Sequence, residues 1–256
     1  MVVSPTHADT AGDLPPSLAD GARRIVETPD LDEKIRVAHA TARAWFRRGL
    51  SLRRRMGATP MPDQPGRPDE PVLLPPREMP RRAVGGTAGR VALLHSLAHI
   101  ELNAVDLTWD MVGRFAHWPL PRSFFDDWVR VGLEEAKHFS LLRKRLADLG
   151  SFYGALPAHH GLWEAAESTG NDLTARLAVI PLVLEARGLD ISPNMIVKAR
   201  KTGDAETADI LEIIYRDEKR HVAFGAKWFR FLCDRERSDP EARFQALVRR
   251  HFKGGL

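Results

Sequence analysis

The chain has 256 residues, of which 43% are hydrophobic and 28% are charged, and its formal net charge at pH 7 is +4. This composition is typical of a soluble globular protein with a sizeable core. The single cysteine, Cys233, excludes an internal disulfide framework and fits a reducing compartment. The first residues lack the pattern of a signal peptide, and no apolar run approaches the roughly 20 residues that span a bilayer. These features predict a cytoplasmic protein that does not act on membranes.

The N-terminal third contains a short helix and a long irregular segment. Residues 1–29 show little periodicity and are predicted to be disordered or loosely attached. A helix is predicted from about residue 30 to Gly49, because a Thr/Asp cap signal precedes it and a glycine closes it. The proline-rich residues 57–80 can continue neither helix nor sheet, and are predicted to form an extended strap. Residues 30–86 should therefore pack on the surface of the domain that follows.

Residues 87–256 are predicted to be helical throughout. Four long helices, A to D, are expected at about 87–115, 123–150, 162–187 and 204–233. Gly188 is expected to close helix C, a short helix should follow over 193–203, and a last helix should begin at Pro240. No alternating run of β-branched residues demands a strand. The sequence thus predicts an all-α four-helix bundle with an N-terminal helix, a strap and an extra C-terminal helix.

Helices B and D share an unusual element. The stretch "LEEAKHFSLL" contains Glu135 and His138, and "YRDEKRHVAFG" contains Glu218 and His221. At about 100° per residue, each Glu-x-x-His pair lies on the apolar stripe of its helix, whereas Glu134 lies towards the flank. An ionised carboxylate in an apolar core costs several kcal/mol, so it needs a cation or a shared proton. A neutral imidazole three residues away is a good metal ligand.

Helices A and C each contribute one more inward carboxylate. Glu101 precedes Glu135 by 34 residues, and Glu185 precedes Glu218 by 33 residues. One Glu from each of two helices, with Glu-x-x-His from the other two, is the ligand pattern of ferritin-like di-iron and di-manganese carboxylate bundles. The predicted metal ligands are therefore Glu101, Glu135, His138, Glu185, Glu218 and His221. The alternative is that these glutamates pair with Arg176 or Arg187, which does not explain the repeated spacing.

Several stretches also resemble a bacterial family of ferritin-like proteins of unassigned function. They are "LLHSLAHIELNAVDL", "DWVRVGLEEAKHFSLL", "PAHHGLWEAAE", "LVLEARGLDISP" and "DEKRHVAFGAKWF", and "LPPREMPRR" resembles the strap of that family. The resemblance covers about residues 32–233 and implies a ferritin-like fold with a dimetal site. The tRNA-modifying di-iron hydroxylases, which oxidise a prenyl group on adenosine, are more distantly similar in the order of their ligands.

The remaining polar residues near the predicted site have more than one interpretation. His95, His99 and Asp106 share a face of helix A that points away from Glu101, so a supporting or packing role against the strap is favoured over a separate metal site. Tyr215, three residues before Glu218, could contact a ligand or act in redox chemistry, but a core tyrosine is the simpler interpretation. Pro181, four residues before Glu185, should kink helix C.

Carboxylate-rich ligation with two histidines suits iron or manganese. The leading hypothesis is a di-iron oxidoreductase, of the oxygenase or hydroxylase type, that uses dioxygen, an electron donor and an unidentified substrate. Its cofactors would be two iron ions, or alternatively manganese or a mixed iron/manganese pair. The other hypotheses are an iron-oxidising or metal-handling protein without an organic substrate, and a binding module with a structural metal.

A tRNA partner would need a basic surface. The candidate residues are Arg47, Arg48, Arg53 to Arg55, Arg81 and Arg82, although an ordinary solvated surface explains them as well.

Overall fold

The computed structural model describes residues 15–52, 59–80, 85–159 and 161–252. Over these ranges the chain is mostly helical and has almost no strand, which confirms the all-α fold. The helices are α1 Leu18–Glu27, α2 Leu31–Phe46, α3 Gly86–Arg114, α4 Arg122–Asp148, α5 Gly161–Ser168, α6 Leu173–Val179, a π-helix Ile180–Glu185, α7 Ala186–Lys201, α8 Ala205–Glu236 and α9 Pro240–His251. None of the helices in the described ranges is long and apolar enough to cross a membrane.

Four long helical segments enclose the interior of the molecule. They are α3, α4, α8 and a continuous rod that runs from α6 through the π-helix into α7. α3 packs along α4, the rod packs along α8, and α4 contacts α8 between the two pairs. Two apolar clusters fill this interior, one around Trp109 and Trp128 and the other around Leu102 and Phe139.

The N-terminus is more ordered than the sequence predicts. Residues 18–27 were expected to be loosely attached, but they form α1, which packs against α2 and α3 and buries Leu18, Ile25 and Val26. The Ser17 side chain accepts a hydrogen bond from the backbone N–H of Asp20 and so caps the helix. The apolar residues Leu18, Ala22, Ile25 and Val26 do have helical spacing, but a ten-residue helix is marginal by itself and is stabilised here by its packing against α2 and α3. Residues 1–14 lie outside the described ranges.

The third segment of the bundle also differs from the prediction. Gly188 does not end the helix, and no separate helix begins at residue 193, because α7 runs through Pro193 to Lys201. A glycine costs a helix about 1 kcal/mol but does not have to stop it, and packing of α7 against α8 offsets that cost. The helix ends where Gly203 adopts a positive φ of 74°, a conformation that glycine tolerates.

Polar contacts join α3 both to the loop before α5 and to the strap, of which residues 59–80 are described. His99 Nδ1 lies 2.8 Å from the Tyr153 hydroxyl, and its Nε2 lies 2.9 Å from the carbonyl oxygen of His159. Arg67 of the strap donates to Asn103 Oδ1 at 2.6 Å. Two short parallel strands, β1 Leu73–Leu74 and β2 Ala158–His159, join the strap to the loop before α5. Strands of two residues carry no pattern that the sequence analysis could detect.

Candidate metal centre

The structure brings the six predicted ligand residues into one interior. Glu101, Glu135, His138 and Glu218 offer ligand atoms that all lie within 4.8 Å of one another, and Glu185, Glu218 and His221 form a second group by the same measure. Glu218 belongs to both groups. The imidazole rings of His138 and His221 are 6.0 Å apart between centroids. Two adjacent positions for cations follow from this arrangement.

The carboxylate of Glu135 lies between the two histidines. Its Oε1 is 2.9 Å from His221 Nδ1, and its Oε2 is 3.5 Å from His138 Nδ1. The same nitrogen of His138 is 3.2 Å from Glu101 Oε2, and that of His221 is 3.3 Å from Glu218 Oε1. Both histidines therefore present Nδ1 to the carboxylates of the interior.

The other nitrogen of each histidine is held from outside by an acidic residue of the opposite helix. His138 Nε2 donates to Asp217 Oδ2 of α8 at 3.1 Å. His221 Nε2 donates to Glu134 Oε2 of α4 at 2.8 Å. A carboxylate that accepts from the outer nitrogen fixes the tautomer in which the inner nitrogen keeps its lone pair, as in the second shell of metal-bound histidines.

The sequence analysis missed Asp217 and assigned no role to Glu134. A signal was present, because each Glu-x-x-His is preceded directly by an acidic residue, in "EEAKH" and in "DEKRH". The pattern alone does not show that each acid serves the histidine of the partner helix, since helix packing sets that pairing. Arg220 joins the two acids, donating to Glu134 at 2.6 Å and to Asp217 at 2.8 Å, and Lys137 also binds Asp217.

The donor set fits a pair of cations. Both oxygens of Glu135, one oxygen each of Glu185 and Glu218, and Nδ1 of His221 are buried without a hydrogen-bond partner in the described part of the chain. Although His221 Nδ1 and Glu135 Oε1 lie close, they are not aligned for a hydrogen bond. A buried polar atom without a partner costs about 1–3 kcal/mol, and more if it is charged. These five atoms belong to the residues of the two groups that could hold a metal ion.

Burial and charge repulsion raise the pKa values of three of the four carboxyl groups in this interior. Burial, and next the charge of Glu135, raise the pKa of Glu101 to about 8. Burial and the charge of Glu218 raise the pKa of Glu185 well above its ordinary value, and the pKa of Glu218 is raised by burial and Glu135. Burial would also raise the pKa of Glu135, but the adjacent charges of His221 and His138 outweigh it and lower that pKa. Protons thus balance the charge that metal ions would otherwise balance.

The pKa values of the two histidines are raised as well, which for an imidazole favours the charged form. Burial alone would lower the pKa of His138, but contacts with Asp217 and Glu101 outweigh burial and raise the pKa well above its usual value. The pKa of His221 is raised in the same way by Glu135 and Glu134. Metal binding must displace these protons from Nδ1, so metal affinity depends on pH.

A π-helix positions Glu185, the last residue of the segment Ile180–Glu185. The backbone forms this π-helix around Pro181, the residue that was expected to kink the helix; the kink itself stays a prediction. Such segments are frequent at functional sites. α8 approaches this wide turn closely at Gly225, where an added Cβ would lie 2.6 Å from Pro181 Cβ. Glycine is therefore required at this contact unless the rod shifts.

The other candidates have different surroundings. Arg176 is buried and forms an ion pair with Asp110 at 2.7 Å, so its charge is balanced by Asp110 rather than by the glutamates of the site. Tyr215 is half-buried, with Lys219 Nζ 4.0 Å from its ring centroid. Its contact with a ligand stays a prediction. His95 and His99 bind the loop 153–159, in keeping with a packing role, and burial lowers the pKa of His99 to about 4.

Comparison with known proteins places the chain among its relatives. Residues 27–256 match the family described as "Protein of unknown function (DUF455)". The chain belongs to this family. An "Uncharacterized protein" of Haemophilus influenzae is 39% identical over 196 residues, which cover 73% of this chain and 68% of the relative. No solved structure matches the chain.

The DUF455 family carries no description of activity, so function must be argued from the site. The site is a buried cluster of carboxylates and histidines that could hold a metal ion.

The predicted basic residues Arg53 to Arg55, Arg81 and Arg82 lie outside the described residues. Arg48 pairs with Asp126 at 3.1 Å.

Proposed function

We propose that this DUF455 protein is a ferritin-like dimetal carboxylate protein that uses a pair of iron ions to activate dioxygen and oxidise a substrate. The observation that carries the proposal is the convergence of two Glu-x-x-His pairs and two further glutamates, with five ligand atoms left without partners among the described residues. Manganese or a mixed iron/manganese pair would be held by the same donors.

The geometry suggests which residue serves which ion. Glu101 and His138 would bind one ion, and Glu185 and His221 the other. Glu218, which belongs to both groups, and Glu135, which lies between the histidines, would serve both ions. These two glutamates belong to the Glu-x-x-His pairs and come from α4 and α8, which contact each other.

A reduced iron pair supplies electrons to dioxygen when it is bound at such a site. The side chains around the site hold protons on the histidines and exclude water from the interior. Asp217 and Glu134 hold a proton on the outer nitrogen of each histidine. Arg220 and Lys137 neutralise these acids on the side that faces solvent, and buried apolar side chains flank the site on both sides along the bundle. Water exclusion strengthens every charge interaction in the site.

The test is metal analysis of protein purified without oxygen, followed by oxygen uptake. We expect two metal ions per chain, oxygen consumption by the ferrous protein, and new near-ultraviolet absorption on exposure. His138→Ala should lower the metal content while the far-ultraviolet circular dichroism stays unchanged. His117→Ala is the matched control, since His117 is an exposed residue beyond the end of α3.

Three outcomes would overturn parts of the proposal. A stoichiometry near zero in intact protein would remove the metal centre altogether. Two bound ions with no response to oxygen would remove the oxygenase and leave a structural metal. Oxygen consumption in a protein that assembles into a cage and stores iron would favour the metal-handling alternative.

A further inference from the structure

A basic groove lies along α2, where Leu133 of α4 borders it, apart from the metal centre. It has a volume of about 700 Å³ and is lined by Arg36, His39, Arg43, Phe46, Arg47 and Leu133. We infer that this basic groove binds a single-stranded nucleic acid segment. The inference does not rest on the proposed metal chemistry, because Leu133 lies about 200° around α4 from Glu135 and the helix itself separates the groove from the site.

The spacing along α2 creates the groove. Residues 36, 39, 43, 46 and 47 all fall within an arc of about 100° on one face of the helix, over a length of about 16 Å. Three of them are arginines, and none of the six lining residues is acidic. A strand with about 3.4 Å between successive phosphates along its axis would place about five nucleotides over this length.

The balance of charge in the groove is positive. Glu33, which lies just outside it, accepts from Arg36 at 2.6 Å and from Arg24 at 3.1 Å, so Arg36 is partly neutralised. Arg43 and Arg47 are exposed. Burial and the charge of Arg43 lower the pKa of His39, which leaves that side chain neutral and able to donate one hydrogen bond and accept another.

The basic groove contains the aromatic ring of Phe46 among its arginines, unlike a surface that carries only basic side chains. Phe46 is 37% exposed, a large apolar residue that the fold leaves open to solvent, and Leu133 continues the apolar floor. Surfaces that bind single strands combine arginines for the phosphates with an aromatic ring on which a base stacks. An inorganic anion would not use the ring, and a membrane surface would not need a groove.

The experiment measures binding of a fluorescein-labelled single-stranded 20-nucleotide RNA by anisotropy, from 50 to 200 mM salt. Arg43→Glu/Arg47→Glu should weaken binding at least tenfold at 50 mM salt. The slope of log K against log salt should fall by about 1.4, because two phosphate contacts are lost at about 0.7 each. The matched control is Arg249→Glu/Arg250→Glu on α9, with the same change in net charge at exposed positions. It should change the affinity less than threefold.

Phe46→Ala separates stacking from charge. It should weaken binding about fivefold or more without changing the salt slope, since a stacked base is worth about 1–3 kcal/mol. If the double charge variant misfolds, ultraviolet cross-linking of the wild-type complex followed by mass spectrometry should place the RNA on the peptide that contains Phe46.

Several results would overturn the inference. They are no RNA binding by the wild-type protein, equal loss in the groove and α9 variants, or cross-links confined to other peptides. Binding to vesicles containing phosphatidylserine that is lost in the groove variant, with no binding of RNA, would assign the groove to membranes instead. Metal content should be the same in all variants, so failure here is distinct from failure of the metal centre.

Discussion

At the scale of single residues, the orientation of the two histidines depends on acidic side chains that are not themselves predicted metal ligands. Asp217 and Glu134 touch the outer nitrogens of His138 and His221, and each comes from the helix opposite its histidine. This crossed arrangement orients the imidazoles and ties α4 to α8. Hydrogen bonds from His138 and Lys137 outweigh the effect of burial and hold the pKa of Asp217 well below its usual range, so Asp217 is ionised at neutral pH.

Removing this outer carboxylate should weaken metal binding. We expect Asp217→Ala to lower metal affinity by about 10–100-fold, because His138 loses the group that orients its ring and keeps Nδ1 available. Asp217→Asn, which retains an oxygen acceptor, should lose less. Competition with a calibrated chelator measures the effect. Asp209→Ala is the control on the same helix, where Asp209 forms only an exposed pair with Arg200; a similar loss in both variants would contradict the role of Asp217.

At the scale of elements, a buried lysine explains why the N-terminal helices are ordered. Lys34 of α2 forms an ion pair with Asp106 of α3, and both side chains are 1% exposed. Its Nζ also donates to the carbonyl oxygen of Val26 in α1 at 3.2 Å. One ammonium group therefore joins α1, α2 and α3.

Breaking this buried pair from one side should be costly. Lys34→Met leaves Asp106 buried without its cation, and we expect the free energy of unfolding to fall by about 3–5 kcal/mol. The double variant Lys34→Met/Asp106→Leu should recover much of that loss, because no charge remains buried. Urea denaturation measures both. Arg143→Ala, which removes the exposed pair with Asp32, should cost less than about 1 kcal/mol; a double variant less stable than Lys34→Met would contradict this account.

The π-helix is the element whose geometry the site needs most. Gly225 of α8 lets the wide turn approach, and a methyl group there would overlap the Pro181 ring. We expect Gly225→Ala to destabilise the fold by about 1–3 kcal/mol and to lower metal occupancy, since the rod that carries Glu185 must shift. Gly188→Ala in the same rod meets nothing within 4 Å, and should be neutral or stabilising by up to about 1 kcal/mol. Thermal unfolding and metal analysis compare the two; equal metal content would show that Glu185 does not depend on this contact.

At the scale of the whole molecule, the candidate centre interrupts an otherwise apolar interior. Glu101 lies between Ala98 and Val105 on α3, and these two belong to different apolar clusters. The four carboxylates of the centre repel one another when they are ionised, and the raised pKa values of Glu101 and Glu185 reflect this. Protonation relieves this repulsion when metal is absent, and bound cations would relieve it instead.

Metal should therefore stabilise the whole fold. We expect the thermal midpoint to rise with the concentration of ferrous or manganous ions, by an amount equivalent to about 2.7 kcal/mol at a metal concentration 100 times Kd. Calorimetry with and without metal, under anaerobic conditions for iron, gives the measurement. Coincident midpoints would mean that the ligands do not converge on a shared site. In the His138→Ala variant the increase should be smaller, whereas His117→Ala should behave as the wild type.

The sequence by itself determined the features that repeat along a helix. The period of apolar residues predicted α2, α3, α4, α8 and α9 to within a few residues, and the spacing of Glu-x-x-His placed both pairs on inward faces. These features are local, because a helix face is fixed by about 100° per residue whatever packs against it. The adjacent acids in "EEAKH" and "DEKRH" were visible in the same way, although their role was not.

Only the tertiary structure decided the features that depend on contacts between helices. α1 is stable because α2 and α3 cover it, and α7 passes Gly188 because α8 supports it. The π-helix at Pro181 lies close against Gly225 of α8, a contact between segments far apart in the chain. The packing of α4 against α8 determines which acidic residue accepts from which histidine. The same packing places Glu135 between the two imidazole rings. Such outcomes arise from contacts between residues far apart in the chain, which no local periodicity encodes.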